Sequence, residues 1–262
     1  MKILGSVNSH IQIPLCVLKE FSFSEGYKNE LGKPERHNFV YHLCGDKSIE
    51  KIKVEQANAE FGYYEDEVEK YLSKLESEFC KVKSYIIKFV KSKQQAFFYK
   101  EEDVCIIKQY CSLCWVRSPH FVRQVKTKSL FIDMLANKEQ NVVIYAYLQH
   151  RNLVDDIFKN LNFSVIVNST NINFLLPQYG IVCVAKLGLL NVYIPISTKV
   201  LLHLSHENYV YAGKINFGIF NETEVDKFNK TAMEIDFKHN IGSVFAKHEN
   251  DITRYNDYID NL

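Results

Sequence analysis

Apolar residues at Val68, Leu72, Leu75, Phe79, Val82, Ile86 and Phe89 recur at steps of four and three, the spacing that lines one side of an α-helix. The opposite face is rich in Lys and Glu. The pattern predicts one amphipathic helix from about Tyr64 to Lys91, docked by its stripe on its own domain, with a coiled coil as the alternative. A second helix is predicted from Glu102 to Val116, with Val104, Ile107, Cys111, Cys114 and Trp115 on its buried side. Ser118-Pro119 then interrupts it. The residue before a proline is pushed out of the α region, and Ser followed by Pro is a helix start. Two more helices follow, over about 120–137 and 142–161, the latter turning Ala146, Leu153, Ile157 and Leu161 inward.

The period changes on either side of this helical stretch. Near the N-terminus, His10-Ile-Gln-Ile-Pro14 leads a short helix whose Leu18 and Phe21 share one face. Pro14 fits its first turn, where a missing N–H costs nothing. Residues 22–37 carry Gly26, Gly32 and Pro34 and read as a mobile loop. Residues 38–44 and 48–54, separated by Gly45-Asp46-Lys47, read as a β-hairpin. After Asn162, runs at 163–167, 180–185, 191–196 and 199–204 have strand character, and residues 222–262 return to a charged helical pattern. The order predicts an α+β fold: long helices packed with a small, mainly antiparallel sheet made by the N-terminal hairpin and the strands of the C-terminal half. It reads as a single domain over 1–262, with a helical part at about 60–161, a mainly β part at about 162–220 and a helical tail at 221–262.

Composition adds limits. The chain has 262 residues, 47% of them hydrophobic, which is ample for one large core. A net charge of +1 argues against a surface built for a long polyanion. No apolar run approaches the ~18 residues of a membrane span. The seven cysteines are irregularly spaced, and most sit among apolar neighbours, as small buried thiols do. With no apolar leader at the N-terminus, this predicts a reduced, cytoplasmic protein.

Candidate chemistry sits at the helix punctuation. His10 precedes a proline-led helix, where an imidazole can serve as acid or base near neutral pH or can satisfy nearby backbone groups. Arg117 lies at the predicted helix break and Arg123 follows it. Guanidinium groups there suit a phosphate or carboxylate held by two hydrogen bonds, or helix-end carbonyls and a carboxylate of the core edge. Glu76 flanks the apolar stripe by about 90°, placing it as an arginine partner, a general base or a solvated carboxylate. Cys111-Ser-Leu-Cys114 has no second pair to complete a zinc site and no strand of a redox motif before it, so it reads as core thiols. No metal-ligand set stands out, and no cofactor is indicated. P-loop, G-x-G-x-x-G and G-x-S-x-G motifs do not occur.

The chain resembles the bacterial domain-of-unknown-function 4238 family. That family begins with a His-His-Tyr-x-Pro-Gln-Phe-Tyr-Leu-like stretch, against which His10, Pro14, Leu18 and Phe21 match the first His, the Pro, the Leu and the following Phe. Ile11 stands where the second His falls. Arg117-Ser118-Pro119 with Arg123 is similar to the family's Arg-Ser/Thr-Pro step. Asn168-Ser169-Thr170-Asn171-Ile172 resembles its Thr-Ser-Asp-Asn-Pro turn, with Ser169 and Asn171 in agreement and Thr170 at the acidic position. The resemblance implies no established activity. The polar set has the composition of a phosphodiester or acyl-transfer site: His10, Glu76 and Ser169 as the catalytic candidates, Arg117, Arg123 and Asn171 as substrate-binding ones.

Two functions are expected from these residues. One is a cytoplasmic effector, bacterial or phage, acting on RNA or another phosphate-bearing ligand, as a nuclease-like toxin of a defence system would. The other is a non-catalytic module that presents the long helix or the 22–37 segment to a protein partner.

Overall fold

The computed structural model describes residues 8–10, 13–28, 30–57, 59–61, 66–92, 100–117, 157–186, 189–206, 216–239 and 243–262. The fold is α+β. The long helix α2 spans Asp66–Lys91, and all seven residues of its stripe are buried. Next comes α3, Glu101–Arg117, whose last two turns are buried on nearly every side. That explains why its sequence pattern is weaker than that of α2: a helix sunk in the core is apolar all round. The predicted helix over 120–137 and most of that over 142–161 lie outside the described residues. At the end of the latter, Phe158 and Leu161 are buried, but Ile157 is 42% exposed and does not face inward.

Among the described residues the strands form two five-stranded sheets and a small ribbon. One sheet runs β11–β6–β10–β9–β8, built from β6 (Asn162–Asn168), β8 (Val182–Lys186), β9 (Leu189–Ser197), β10 (Val200–Ser205) and β11 (Asn216–Phe220). All its neighbours are antiparallel except β11 on β6. These are the predicted strands of the C-terminal half plus β11, which the sequence reading did not include. Every residue of β10 is buried, as expected of a central strand covered on both faces.

The other sheet centres on β3 (Pro34–Leu43). The hairpin partner β4 (Ile49–Lys53) takes one of its edges. Strand β2 (Phe23–Lys28) and the late strand β12 (Val244–Ala246) take the other, end to end. A two-residue strand, β7 (Leu176–Pro177), then pairs with β12. The hairpin is therefore as predicted, with Lys47 at the turn in left-handed conformation, φ 68°. The loop predicted over 22–37 is instead strand β2, a turn and the first residues of β3, a second hairpin. Its aromatic alternation outweighs its glycines: Phe23 stacks on Tyr41 at 5.3 Å, and Tyr27 packs against Phe39 at 5.5 Å, cross-strand pairs of the kind that stabilise a sheet. Gly26 simply pairs with Arg36 in the ladder, and Gly32 makes the turn at φ 71°. The tail is likewise only partly helical. It holds α4 (Glu222–His239), α5 (Glu249–Thr253) and α6 (Asn256–Asp260), but β12 interrupts it.

The ribbon joins β1 (Asn8–His10) to β5 (Ala59–Phe61), antiparallel. Between β1 and β2 lies the short helix α1 (Leu15–Leu18), continued by a 3-10 turn to Phe21. Ile13, Val17, Leu18 and Phe21 are buried in the main core. No helix among the described residues is long and apolar enough to cross a membrane.

Candidate functional site

One face of α2 organises the polar interior. Glu76, Cys80 and Lys83 follow at the four- and three-residue steps that keep side chains on one side of a helix. Glu76 reaches α3, whereas Cys80 and Lys83 both reach the segment around α1. Cys80 forms a disulfide with Cys16, Cα to Cα 6.3 Å. Lys83, its side chain 3% exposed, donates to the Cys16 carbonyl and to Glu20 Oε1, both at 2.8 Å. Together they fasten α1 to α2. The expectation that the cysteines are all thiols is corrected at this pair: spacing of 64 residues gives no sequence signal, and only the docking of α1 brings the sulfurs together.

Glu76, one turn earlier, meets Arg117 of α3. Arg117 Nη1 donates to Glu76 Oε1 at 2.9 Å, with the side chains 1% and 19% exposed. Burial raises the Glu76 pKa above the ordinary carboxylate value, and the Arg117 guanidinium opposes that rise. Beside the pair lies Tyr110, fully buried, its ring stacked on Phe79 with centroids 3.7 Å apart. Its hydroxyl has no hydrogen-bond partner of the usual geometry among the described residues. The Cys114 thiol, Glu76 and Arg117 lie within its electrostatic reach, and burial pushes the phenol well above its ordinary pKa. Burial also pushes Cys114 up to about 12. Cys111 and Cys114 are thus inert core thiols.

The N-terminal motif approaches the same nest. Gly180 turns at φ 69°, and a Cβ placed on it would lie 3.7 Å from the Tyr110 hydroxyl and 3.8 Å from Ile13 Cγ1. Ile13 is three residues from His10, a reach of at most about 11 Å of extended chain. The His10 backbone is fixed in β1 opposite Ala59; its side chain, like all of Arg123, Ser118 and Pro119, falls outside what the structure describes.

Ser169 and Asn171 occupy a different turn, at the end of β6, and both are exposed. The turn is held from within. Asn168 Oδ1 accepts from the Thr170 N–H and hydroxyl at 2.9 and 2.8 Å, and Asn168 Nδ2 donates to the Ile172 carbonyl at 2.6 Å. Lys199 Nζ donates to the Thr170 and Ile172 carbonyls at 2.6 and 3.0 Å. Onward contacts run through Asn173 to Asp251 of α5. The structure therefore joins Glu76 to Arg117, brings the chain behind His10 to their neighbour Tyr110, and sets Ser169 and Asn171 on a turn organised around Asn168 and Lys199.

Two groups escaped the sequence reading. Tyr110 looked like any aromatic of a buried helix; nothing in its spacing marks a hydroxyl beside an ion pair. The second group is His42, Cys44 and Glu50, whose ligand atoms all lie within 4.8 Å of one another. Here a signal existed. In the predicted hairpin, His42 and Cys44 are two apart on one strand, and the partner strand returns Glu50 opposite His42.

Neither the curated proteins nor the solved structures contain a match to this chain. A family model described as a protein of unknown function, DUF4238, matches residues 10–237, and the chain belongs to that family.

Proposed function

We propose that this chain is a cytoplasmic effector, bacterial or phage in origin, whose polar nest takes an anionic group of a phosphate-bearing substrate, with RNA the first class to test. In this reading it acts as a nuclease-like toxin of a defence system. His10 is the acid or base, Arg117 and Arg123 hold the anion, and Glu76 orients Arg117. Ser169 donates a hydrogen bond to the reacting group, and Asn171 helps to bind the substrate. One observation supports this reading above the others: a guanidinium 1% exposed and a fully buried phenol hydroxyl share one nest with the Glu76 carboxylate. Ion pairs and hydroxyls cost free energy to bury, and clusters of this kind concentrate at functional sites. A cytoplasmic setting adds one condition. The Cys16–Cys80 bond must resist the glutathione pool, or the pair works there as thiols.

The test is growth arrest on expression, together with cleavage of labelled RNA by purified protein. Wild type is expected to arrest and cleave. His10→Ala and Arg117→Lys are expected to lose both while His10→Ala keeps the melting temperature of wild type. Equal activity in all three proteins overturns the reading.

A second reading has its own observation. Leu31 is 80% exposed and Tyr27 40% exposed on the β2–β3 hairpin, and β2 is an edge strand. A non-catalytic module would offer this hairpin to a protein partner, and Thr170 at the family's acidic position agrees with a lost active site. Loss of partner binding on Tyr27→Ser/Leu31→Ser, with no RNA cleavage in wild type, selects it.

A further inference from the structure

We propose that His42, Cys44 and Glu50 form a zinc site at the end of the β3–β4 hairpin, with three protein ligands and a fourth position open to solvent. None of the residues of the Glu76–Arg117 nest takes part. The backbone dictates the grouping. His42 and Cys44 are two residues apart along one extended segment, so their side chains leave the same face. Glu50 is the register partner of His42 across the hairpin, and directly opposed side chains share a face. The turn between them is tightly held. The Cys44 N–H donates to the Ser48 carbonyl at 2.8 Å, and Asp46 Oδ1 accepts from the Ser48 N–H and hydroxyl.

The imidazole is aimed by its surroundings. Its ring stacks on Phe245 of β12, centroids 4.7 Å apart. Its Nε2 bonds the Ser243 hydroxyl. A proton on Nε2 leaves the Nδ1 lone pair facing Cys44 Sγ, 3.5 Å away. Zinc ligands at about 2.3 Å (sulfur) and 2.0–2.1 Å (nitrogen), separated by the tetrahedral angle, stand about 3.6 Å apart. The two atoms therefore already have the separation that zinc requires. A hydrogen bond from the far ring nitrogen to a protein oxygen is also the usual support of a metal-bound histidine. The donor set decides the metal. A thiolate and an imidazole disfavour magnesium and calcium, and with one carboxylate they suit zinc. Glu50 is exposed and Cys44 half-buried, so the remaining position faces water, the arrangement of a site that can exchange a ligand.

The test uses full-length protein freed of metal with a chelator, handled under nitrogen without reductant, and titrated with cobalt(II). One equivalent is expected to give a thiolate-to-cobalt charge-transfer band and the visible bands of a tetrahedral centre. One equivalent of zinc should bleach both, and zinc alone should raise the melting temperature. Cys44→Ser should abolish the charge-transfer band, whereas Cys105→Ser, which removes an exposed thiol, should leave it. Ser243→Ala should weaken cobalt binding about 10–100-fold by freeing the ring. Glu50→Gln alters an exposed side chain, so it reads the site even if Cys44→Ser misfolds, and should also weaken the metal. Absence of the band in wild type, a band that survives Cys44→Ser, or unchanged affinity in Glu50→Gln overturns the proposal.

Discussion

Replacing Arg117 by methionine removes a charge but keeps most of the side-chain volume. The guanidinium is 1% exposed and its partner Glu76 is 19% exposed. The variant therefore leaves a carboxylate in the core with its counter-charge gone. Breaking one half of a buried pair costs about 3–5 kcal/mol. For a chain of this size, each kcal/mol lowers the melting temperature by roughly 2–4 °C, so the expected drop is roughly 6–20 °C. Glu76→Leu leaves the cation stranded and should cost a similar amount. The double variant Glu76→Leu/Arg117→Met leaves neither and should be more stable than the sum of the singles predicts by about 2–3 kcal/mol. Urea denaturation of the four proteins measures this cycle. The pH dependence adds a second check. Burial raises the Glu76 pKa, and a carboxylate with a raised folded pKa holds more protons folded than unfolded. Its contribution is most favourable below the unfolded pKa and is lost as pH rises through the folded one. Without Arg117 the folded pKa moves higher still, so the deficit of Arg117→Met should be small near pH 4 and grow toward neutrality. Singles that add to within about 0.5 kcal/mol, or a deficit that is flat with pH, would refute the coupled buried pair.

The disulfide gives a separate expectation: Cys16→Ala/Cys80→Ala, which opens a loop of 64 residues, should cost about 4 kcal/mol in urea on the chain-entropy model. Leu75→Ala, in the stripe of α2 at 4% exposure, should lose about 2–5 kcal/mol, read by calorimetry. Asn229 is fully buried and joins the Leu175 N–H, the Asn173 carbonyl and the Tyr255 hydroxyl. Asn229→Ala should cost at least about 1–3 kcal/mol, the cost of leaving a buried polar group unmatched, and should speed amide exchange at Leu175. Gly180→Ala must hold a left-handed φ and should cost about 1–2 kcal/mol; its Cβ would make only ordinary contact with Tyr110 and Ile13, so a much larger loss would contradict the described approach of those two residues.

Legibility from the sequence followed the range of the interactions. The stripe from Val68 to Phe89 was readable because a docked, solvated helix repeats its burial every turn. The hairpin at 38–54 was readable because turn chemistry at Gly45–Lys47 is local. Strand β2 was not, since two glycines and a proline mark a turn while the aromatic ladder to β3 appears only once the strands are paired. Strand β12 is three residues long, and its partners Tyr41–Leu43 and Leu176–Pro177 are remote in the chain. The site divides in the same way. Glu76 was placed off the stripe by helical geometry alone, and its match to Arg117 agrees with that placement. Tyr110 and the Cys16–Cys80 pair depend on how α1, α2 and α3 dock, which no local pattern encodes.

The union of β12 with β3 has a consequence for biosynthesis. His42 and its partner Ser243 are 201 residues apart, and translation at about 5–20 residues per second needs roughly 10–40 s to cover that stretch. Throughout that interval the Tyr41–Leu43 end of β3, which β12 later pairs, has unpaired N–H and C=O groups, an invitation to another nascent chain. Stop codons shortly before position 244 should accordingly yield insoluble product, and release of soluble protein from the ribosome should await the final strand.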